Sequence, residues 1–329
     1  MARAWHLKSR PEAMPAPENF ELKEFDPGAM GEGKIRVKNS WLTVDPYMRG
    51  RMRDVKSYVP PFQIDAPLEG GAIGEVIESQ SDNFAVGDMV NHGAGWRDEA
   101  VIDASTAQKL PDLGVPAQSF LGYLGMPGMT AYFGLLEVGQ AKEGDTVFVS
   151  GAAGAVGSTV IQIAKAKGMT AIGSAGGADK CDWVKSLGAD DCIDYKSDGE
   201  LLHKMMEAMP NGLDVYFDNV GGEHLDCAFA VANPGARFSE CGMISAYNST
   251  DPMEFRYIMN LIGKGIMMKG FIVTQFMDRA AEFYQDMGAM VASGKLESQE
   301  TVHDGLDAQV DAFIGLFTGG NTGKMLVKL

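Results

Sequence analysis

Thr146-Val147-Phe148-Val149-Ser150-Gly151-Ala152-Ala153-Gly154-Ala155-Val156-Gly157 is the stretch on which the fold turns. A run of strand character enters a glycine loop, and Val156, Val160, Ile163 and Ala164 then recur at i, i+4, i+7 and i+8, one apolar helical stripe. Measured against the dinucleotide pattern G-x-G-x-x-G, Ala152 stands in for the first glycine while Gly154 and Gly157 keep the other two. Gly154 lets the backbone approach a pyrophosphate, Gly157 lets the helix pack closely on the sheet, and the helix N-terminus offers unpaired N–H groups to phosphate. A purely structural tight turn is the alternative. Strand, loop and helix nevertheless fall in the order that cofactor binding needs.

Downstream the rhythm repeats. Strand-like runs at Thr170–Ser174, Asp191–Ile193, Asp214–Phe217, Ala236–Glu240 and Met267–Val273 alternate with helical stretches, and Phe283, Met287, Met290 and Val291 mark a late helix that ends near Gly294. Six strands with intervening helices predict an α/β fold with a doubly wound parallel sheet of the Rossmann type. Upstream the pattern differs. Lys34–Lys38 alternates charged and apolar residues, Gly71–Glu78 is another short strand, and Pro46, Pro60, Pro61 and Pro67 punctuate the loops, so the first domain reads as β-rich. The tail returns to strand character, with Met325, Val327 and Leu329 expected on one face and Lys324 and Lys328 on the other, and it should pair back onto the first domain. The β-rich domain is then discontinuous, residues 1–118 plus 295–329, with the dinucleotide domain, 119–294, inserted into it.

Bulk properties narrow the function. A chain of 329 residues exceeds one ordinary core and suits two domains. The net charge of −16 opposes nucleic-acid or anionic-lipid binding, and no apolar run reaches the ~18 residues of a membrane span. Arg3, His6, Lys8 and Arg10 interrupt any secretory core, so a cytoplasmic protein is expected. Cys181, Cys192, Cys227 and Cys241 form no C-x-x-C pair and read as reduced structural thiols.

The second strand ends in Ser174-Ala175-Gly176-Gly177-Ala178-Asp179-Lys180. No acid closes the strand to bind a ribose 2′-hydroxyl, the small residues leave room for a 2′-phosphate, and Lys180 can neutralise it, so NADPH is favoured over NADH. Asp179 dissents, although an acid in the first helical turn also serves the helix dipole.

At these residues the chain resembles the medium-chain dehydrogenase/reductase superfamily, and within it the zinc-free leukotriene B4 dehydrogenase/prostaglandin reductase group, which includes curcumin-type and alkenal double-bond reductases. The resemblance spans nearly the whole chain. It rests on Asp45-Pro46-Tyr47-Met48-Arg49, Gly125-Met126-Pro127-Gly128-Met129-Thr130-Ala131-Tyr132, the Ala152–Gly157 loop, Phe217-Asp218-Asn219-Val220-Gly221-Gly222, Cys241-Gly242-Met243-Ile244-Ser245-Ala246-Tyr247-Asn248 and Asn321-Thr322-Gly323-Lys324. It implies a GroES-like first domain that carries the substrate site. It implies that Gly154, Ala155, Val156 and Gly157 hold the pyrophosphate and that Lys180 and Tyr195 meet the 2′-phosphate. Asn219, Cys241, Gly242, Ile244, Ser245, Tyr247, Phe271, Ile272, Val273 and Asn321 are implied to line the rest of the cofactor. Tyr195 as an edge aromatic, and Phe271 and Val273 as plain strand core, are the bland alternatives.

Zinc-containing relatives place Gly-His-Glu where this chain reads Gly70-Gly71-Ala72, and no cysteine precedes residue 181, so no metal site is expected. A metal-free hydride donor suits an acceptor that is already electrophilic, such as the β-carbon of an α,β-unsaturated ketone or aldehyde. The expected activity is an NADPH-dependent enone or 2-alkenal double-bond reductase acting on broad or bulky apolar small-molecule substrates. A quinone reductase on the same scaffold and a non-catalytic NADPH-sensing protein are the rivals. Tyr247 is the expected catalytic hydrogen-bond donor, with Tyr47 as the other phenol. The resemblance implies that Tyr47 and Met48 contact the substrate, with a buried turn anchored by Pro46 as the bland alternative, and it suggests a homodimer.

Overall fold

Val147, Phe148 and Val149 are all fully buried, the pattern of a parallel strand covered on both faces. In the computed structural model, which describes all 329 residues, this strand, β1 (Thr146–Val149), lies inside a six-stranded sheet. Its companions are β2 (Thr170–Ala175), β3 (Asp191–Asp194), β4 (Leu213–Asp218), β5 (Ala232–Glu240) and β6 (Met267–Gly270). The order is β3-β2-β1-β4-β5-β6 and every pairing is parallel. The order reverses direction beside β1, so the carboxyl ends of β1 and β4 flank the switch point at which open α/β sheets bind ligands.

The crossover helices are α1 (Ala155–Ala166), α2 (Ala178–Ser186), α3 (Leu201–Ala208) and α4 (Gly222–Val231). In α1 the stripe Val160, Ile163 and Ala164 is fully buried, whereas Val156, in the first turn, is half-buried. Phe148, Tyr216, Phe229 and Phe238 stack or meet edge-on in the core beneath the sheet.

This sheet belongs to a unit formed by Gly122–Gln299 and Thr322–Lys324. The other unit comprises Met1–Leu121, Glu300–Asn321 and Met325–Leu329. It holds a seven-stranded sheet whose long member, Lys34–Thr43, pairs antiparallel with Ala72–Ser79, Glu99–Asp103 and the tail. A separate hairpin pairs Ala2–Leu7 with Phe20–Phe25. Phe20, Trp96 and Phe313 pack ring against ring at the centre of its core.

Two sequence expectations are corrected. The sixth strand stops at Gly270, and Val273–Arg279 coils into a short 3-10 helix, because the Phe271 ring turns inward to Phe217 and to Gly134. The tail strand, Lys324–Lys328, lies inside its sheet, so Lys324, Met325, Leu326 and Val327 are all buried while Leu329 is exposed. Alternation fails there because neither face is left to water.

Candidate active site

Ser150 closes β1 and Asp218 closes β4, and the two side chains join across the switch point. Ser150 Oγ donates to Asp218 Oδ1 at 2.8 Å and accepts from the N–H of Asn219 at 2.9 Å. The Asn219 amide returns the bond, donating to the Ser150 carbonyl at 2.8 Å. From this clasp the glycine loop leaves, with Gly151 at φ 61° and Gly154 as the N-cap of α1. A side chain at Gly157 would run into the Gly151 carbonyl and come within 2.8 Å of Ala152 Cα, so only glycine lets α1 start this close to the loop. Ala152, at the first glycine position of the pattern, is accommodated from the other side. A Cβ on Gly173 of β2 would lie 2.6 Å from the Ala152 methyl, so β2 supplies the missing space. Gly154, Ala155, Val156 and Gly157 therefore head a helix whose first N–H groups have no intrahelical acceptor, the arrangement that receives a pyrophosphate. The loop is backed by Gly323, whose N–H donates to the Ala153 carbonyl at 2.8 Å.

At the ends of β2 and β3 a cationic corner forms. A Cβ on Gly176 would lie 2.7 Å from the Tyr195 hydroxyl and 2.9 Å from Lys196 Cε, so both side chains lie over that glycine. Lys180 is half-buried in the first turn of α2, and burial, then the charge of Lys196, lower its pKa. Two mutually repelling ammonium groups beside a phenol are the electrostatics of an anion site, because a bound phosphate relieves their repulsion. Tyr195 is 41% exposed and meets His224 edge-on at 5.2 Å. Asp179 is exposed on the same turn, whereas Asp194 is the acid that holds the corner, accepting from the N–H groups of Gly177 and Lys196 at 2.9 Å each. Lys196 is a member of this corner that sequence reasoning misses. Its adjacency to Tyr195 after a strand end is the available signal.

The third part of the site is a loop fastened to the turn after β4. The N–H groups of Cys241 and Gly242 both donate to the Asp218 carbonyl at 3.0 Å, Ile244 N–H donates to Asn219 O at 3.2 Å, and Ser245 Oγ to Val220 O at 2.6 Å. Gly221 allows this approach, since a Cβ there would lie 2.8 Å from Met243. The loop curls back so that the Tyr247 hydroxyl comes over Gly242, 2.9 Å from where a Cβ would sit. Burial, with Asp218 and Glu240 behind it, pushes the Cys241 thiol up to about 12, so Cys241 contributes backbone and not nucleophilic sulfur.

Phe271 is buried core, and Ile272 and Val273 are half-buried beyond the end of β6. Asn321 is half-buried and directly precedes the Thr322–Lys324 segment that backs the glycine loop. In the other unit Tyr47 is half-buried, and burial, then Asp45, push its phenol far above the usual range. Met48 is wholly buried, its Sδ-methyl 2.5 Å from where a Cβ on Gly70 would sit, which makes it part of that unit's core. No group of three or more His, Cys, Asp or Glu side chains converges in a geometry that could hold a metal ion. No helix is long and apolar enough to cross a membrane.

Residues 3–110 match the family described as the N-terminal domain of oxidoreductase, and residues 155–293 match the family described as zinc-binding dehydrogenase. The chain is 41% identical to the NADPH-dependent curcumin reductase of Escherichia coli, over 99% of this chain and 96% of that protein. It is 40% identical to the NADP-dependent 2-alkenal reductase of Nicotiana tabacum, over 90% and 88%. The crystal structure of CurA from Vibrio vulnificus in complex with NADPH superimposes with a TM-score of 0.93 at 42% identity, covering 99% of this chain and 98% of that one. With the glycine loop, the cationic corner and the 241–247 loop gathered at one end of a parallel sheet, and relatives alike along the whole chain, this protein belongs to the zinc-free prostaglandin reductase group of the medium-chain dehydrogenase/reductase superfamily.

Proposed function

We propose that this protein is an NADPH-dependent reductase of the carbon–carbon double bond of α,β-unsaturated ketones and aldehydes. The observation that carries the reading is the pairing of a glycine-headed helix with the Gly176–Lys180–Tyr195–Lys196 corner. Together they offer one seat for a pyrophosphate and one for a 2′-phosphate. The curcumin and alkenal reductases among its relatives act on conjugated carbonyl compounds, which supports the same substrate class here.

When bound, NADPH supplies the hydride for the β-carbon of the substrate. The chain's own residues do the rest. Gly154 to Gly157, Lys180, Tyr195 and Lys196 hold the phosphates, and Asn219, Gly242, Ile244, Ser245, Asn321 and the backbone of Phe271–Val273 line the remaining length. Tyr247 donates a hydrogen bond from its phenol to the enolate oxygen that develops on the substrate. The α-carbon then takes its proton through a relay to solvent. Tyr47 is the second phenol available, and Met48 supports its turn from within the core. In this reading the unit of Gly122–Gln299 with Thr322–Lys324 binds the cofactor, and the unit of Met1–Leu121, Glu300–Asn321 and Met325–Leu329 carries the substrate site.

A panel at fixed NADPH tests the assignment. Oxidation of NADPH is expected with an enone and not with a saturated ketone, and a rate on a quinone above that on the enone would reassign the protein as a quinone reductase. NADPH binding without turnover across the enones would make it a cofactor sensor. We also propose a cytoplasmic homodimer. Met259 and Ile262, 70% and 73% exposed, form an apolar face in the turn that enters the edge strand β6. Sedimentation should show two chains for the wild type and one for Ile262→Glu.

A further inference from the structure

The last ladder position shared by β4 and β5 sets Asp218 opposite Glu240. Partners on neighbouring strands lie about 4.8 Å apart and send their side chains to the same face, so two carboxyl groups occupy one space. That space is dry: Asp218 is fully excluded from solvent and Glu240 is 9% exposed. Asp218 Oδ1 is fully engaged, accepting from Ser150 Oγ at 2.8 Å, Tyr216 Oη at 2.7 Å, and the N–H groups of Val220 and Gly221 at 2.8 Å each. Asp218 Oδ2 and both oxygens of Glu240 are buried with no hydrogen-bond partner of their own.

The titratable groups that face the pair are Tyr216 from β4, Cys241 at the end of β5 and His224 from α4. Burial holds His224 down at about 4, so it is neutral, and the charge that acts on Glu240 is that of Asp218. No cation offsets two carboxylates here. Ionised together they would repel in a medium that cannot screen them, whereas one proton between them removes a charge and joins two of the three orphaned oxygens in a hydrogen bond. Burial first, and Asp218 second, accordingly push Glu240 up to about 9.

We propose that Asp218 and Glu240 hold a single buried proton between them, and that the pair positions the cofactor site by fixing the two chain segments that leave its ends. Asp218 must stay an acceptor for the turn 218–221, and Glu240, kept as the neutral acid, donates to Asp218 Oδ2. The turn carries Asn219, and the Asp218 carbonyl anchors Cys241 and Gly242 at the root of the loop that carries Tyr247. Loss of the proton places a second charge beside the first and loosens both segments at once. Neither residue touches the reacting atoms, so both are positioning residues.

The proposal rests on the NADPH reading for its second half, and two measurements separate the halves. Infrared spectra of the cofactor-free protein near pH 7 should show a protonated-carboxyl carbonyl band that is absent from Glu240→Gln. NADPH affinity, followed by fluorescence from about pH 7 to 10, should fall for the wild type by up to about tenfold per pH unit once the proton is released. Glu240→Gln, which keeps a neutral donor, should match the wild type at pH 7 and lack that component of the fall. The phosphate corner is the same in both proteins, so the difference between the curves isolates the pair. Glu240→Leu, which cannot donate, should weaken NADPH by about tenfold at pH 7. If Glu240→Gln does not fold, disappearance of the wild-type band as pH rises through about 9 tests the shared proton equally well. Absence of the band at pH 7 overturns the shared proton, and parallel affinity curves overturn the positioning role. A protein that binds no NADPH overturns both the cofactor reading and the positioning role, and leaves the infrared result standing by itself.

Discussion

Lys180 stands half-buried beside Lys196, its pKa already lowered by burial and by that neighbour. A charge-assisted contact to phosphate is worth roughly 1.5–3 kcal/mol, so Lys180→Ala should weaken NADPH by about tenfold to a hundredfold and NADH far less. Titrations with both cofactors check this, and equal weakening would remove Lys180 from phosphate recognition. Tyr247→Phe keeps the ring over Gly242 and removes only the hydroxyl. It should lower kcat on an enone by roughly tenfold to a thousandfold with a smaller change in NADPH affinity. An unchanged kcat, with hydride transfer shown to limit the rate, would pass the donor role to Tyr47 or to water. Lys180 suggests itself in the sequence because a basic residue after an acid-free strand end suits a phosphate, although a solvated helix residue reads the same way. Glu240 is not, since nothing in the run Ala236–Glu240 says that register will set its carboxyl against Asp218. Met48 is a pocket residue only by family resemblance, and its packing against Gly70 fits the alternative of a buried turn anchored by Pro46.

At the level of elements, the strand–loop–helix from Thr146 to Ala166 is fully readable, because burial on both faces gives β1 an unbroken apolar run and α1 a stripe. The loop's tolerance is set by contacts that the pattern does not contain. Gly157→Ala forces the new methyl against the Gly151 carbonyl, and backbone cannot swing aside as a side chain can. The variant should lose NADPH binding by more than about tenfold and melt at lower temperature, the first read by titration and the second by calorimetry. A Gly157→Ala protein with wild-type affinity would show that α1 can slide, and the pyrophosphate seat would have to be placed elsewhere. The ends of elements are less legible. Strand β6 reads three residues too long because Phe271-Ile272-Val273 has strand composition, and only the inward turn of the Phe271 ring ends it.

For the molecule as a whole, metal independence follows from how Gly70-Gly71-Ala72 is packed. A Cβ on Gly71 would lie 3.0 Å from Thr43 Cγ2 and 3.3 Å from Leu121, and Gly70 is pressed by Met48 and Trp96, so apolar groups fill the place where zinc-containing relatives carry ligands. Chelators should leave turnover unchanged, and stoichiometric zinc whose removal abolishes activity would refute this. The two-domain plan is readable from the change of rhythm near Phe120, because strands that pair locally and βα units bury their apolar residues at different periods. The return of Thr322–Lys324 to the cofactor-binding unit is not, since three residues carry no period. That short return matters to the order in which the protein is made. Gly323 braces Ala153 from about 170 positions further along the chain, so a nascent polypeptide whose parallel sheet is already complete still lacks one wall of its phosphate loop. That wall is added only once residue 323 has emerged, well after Gly270 has closed the last strand of the sheet.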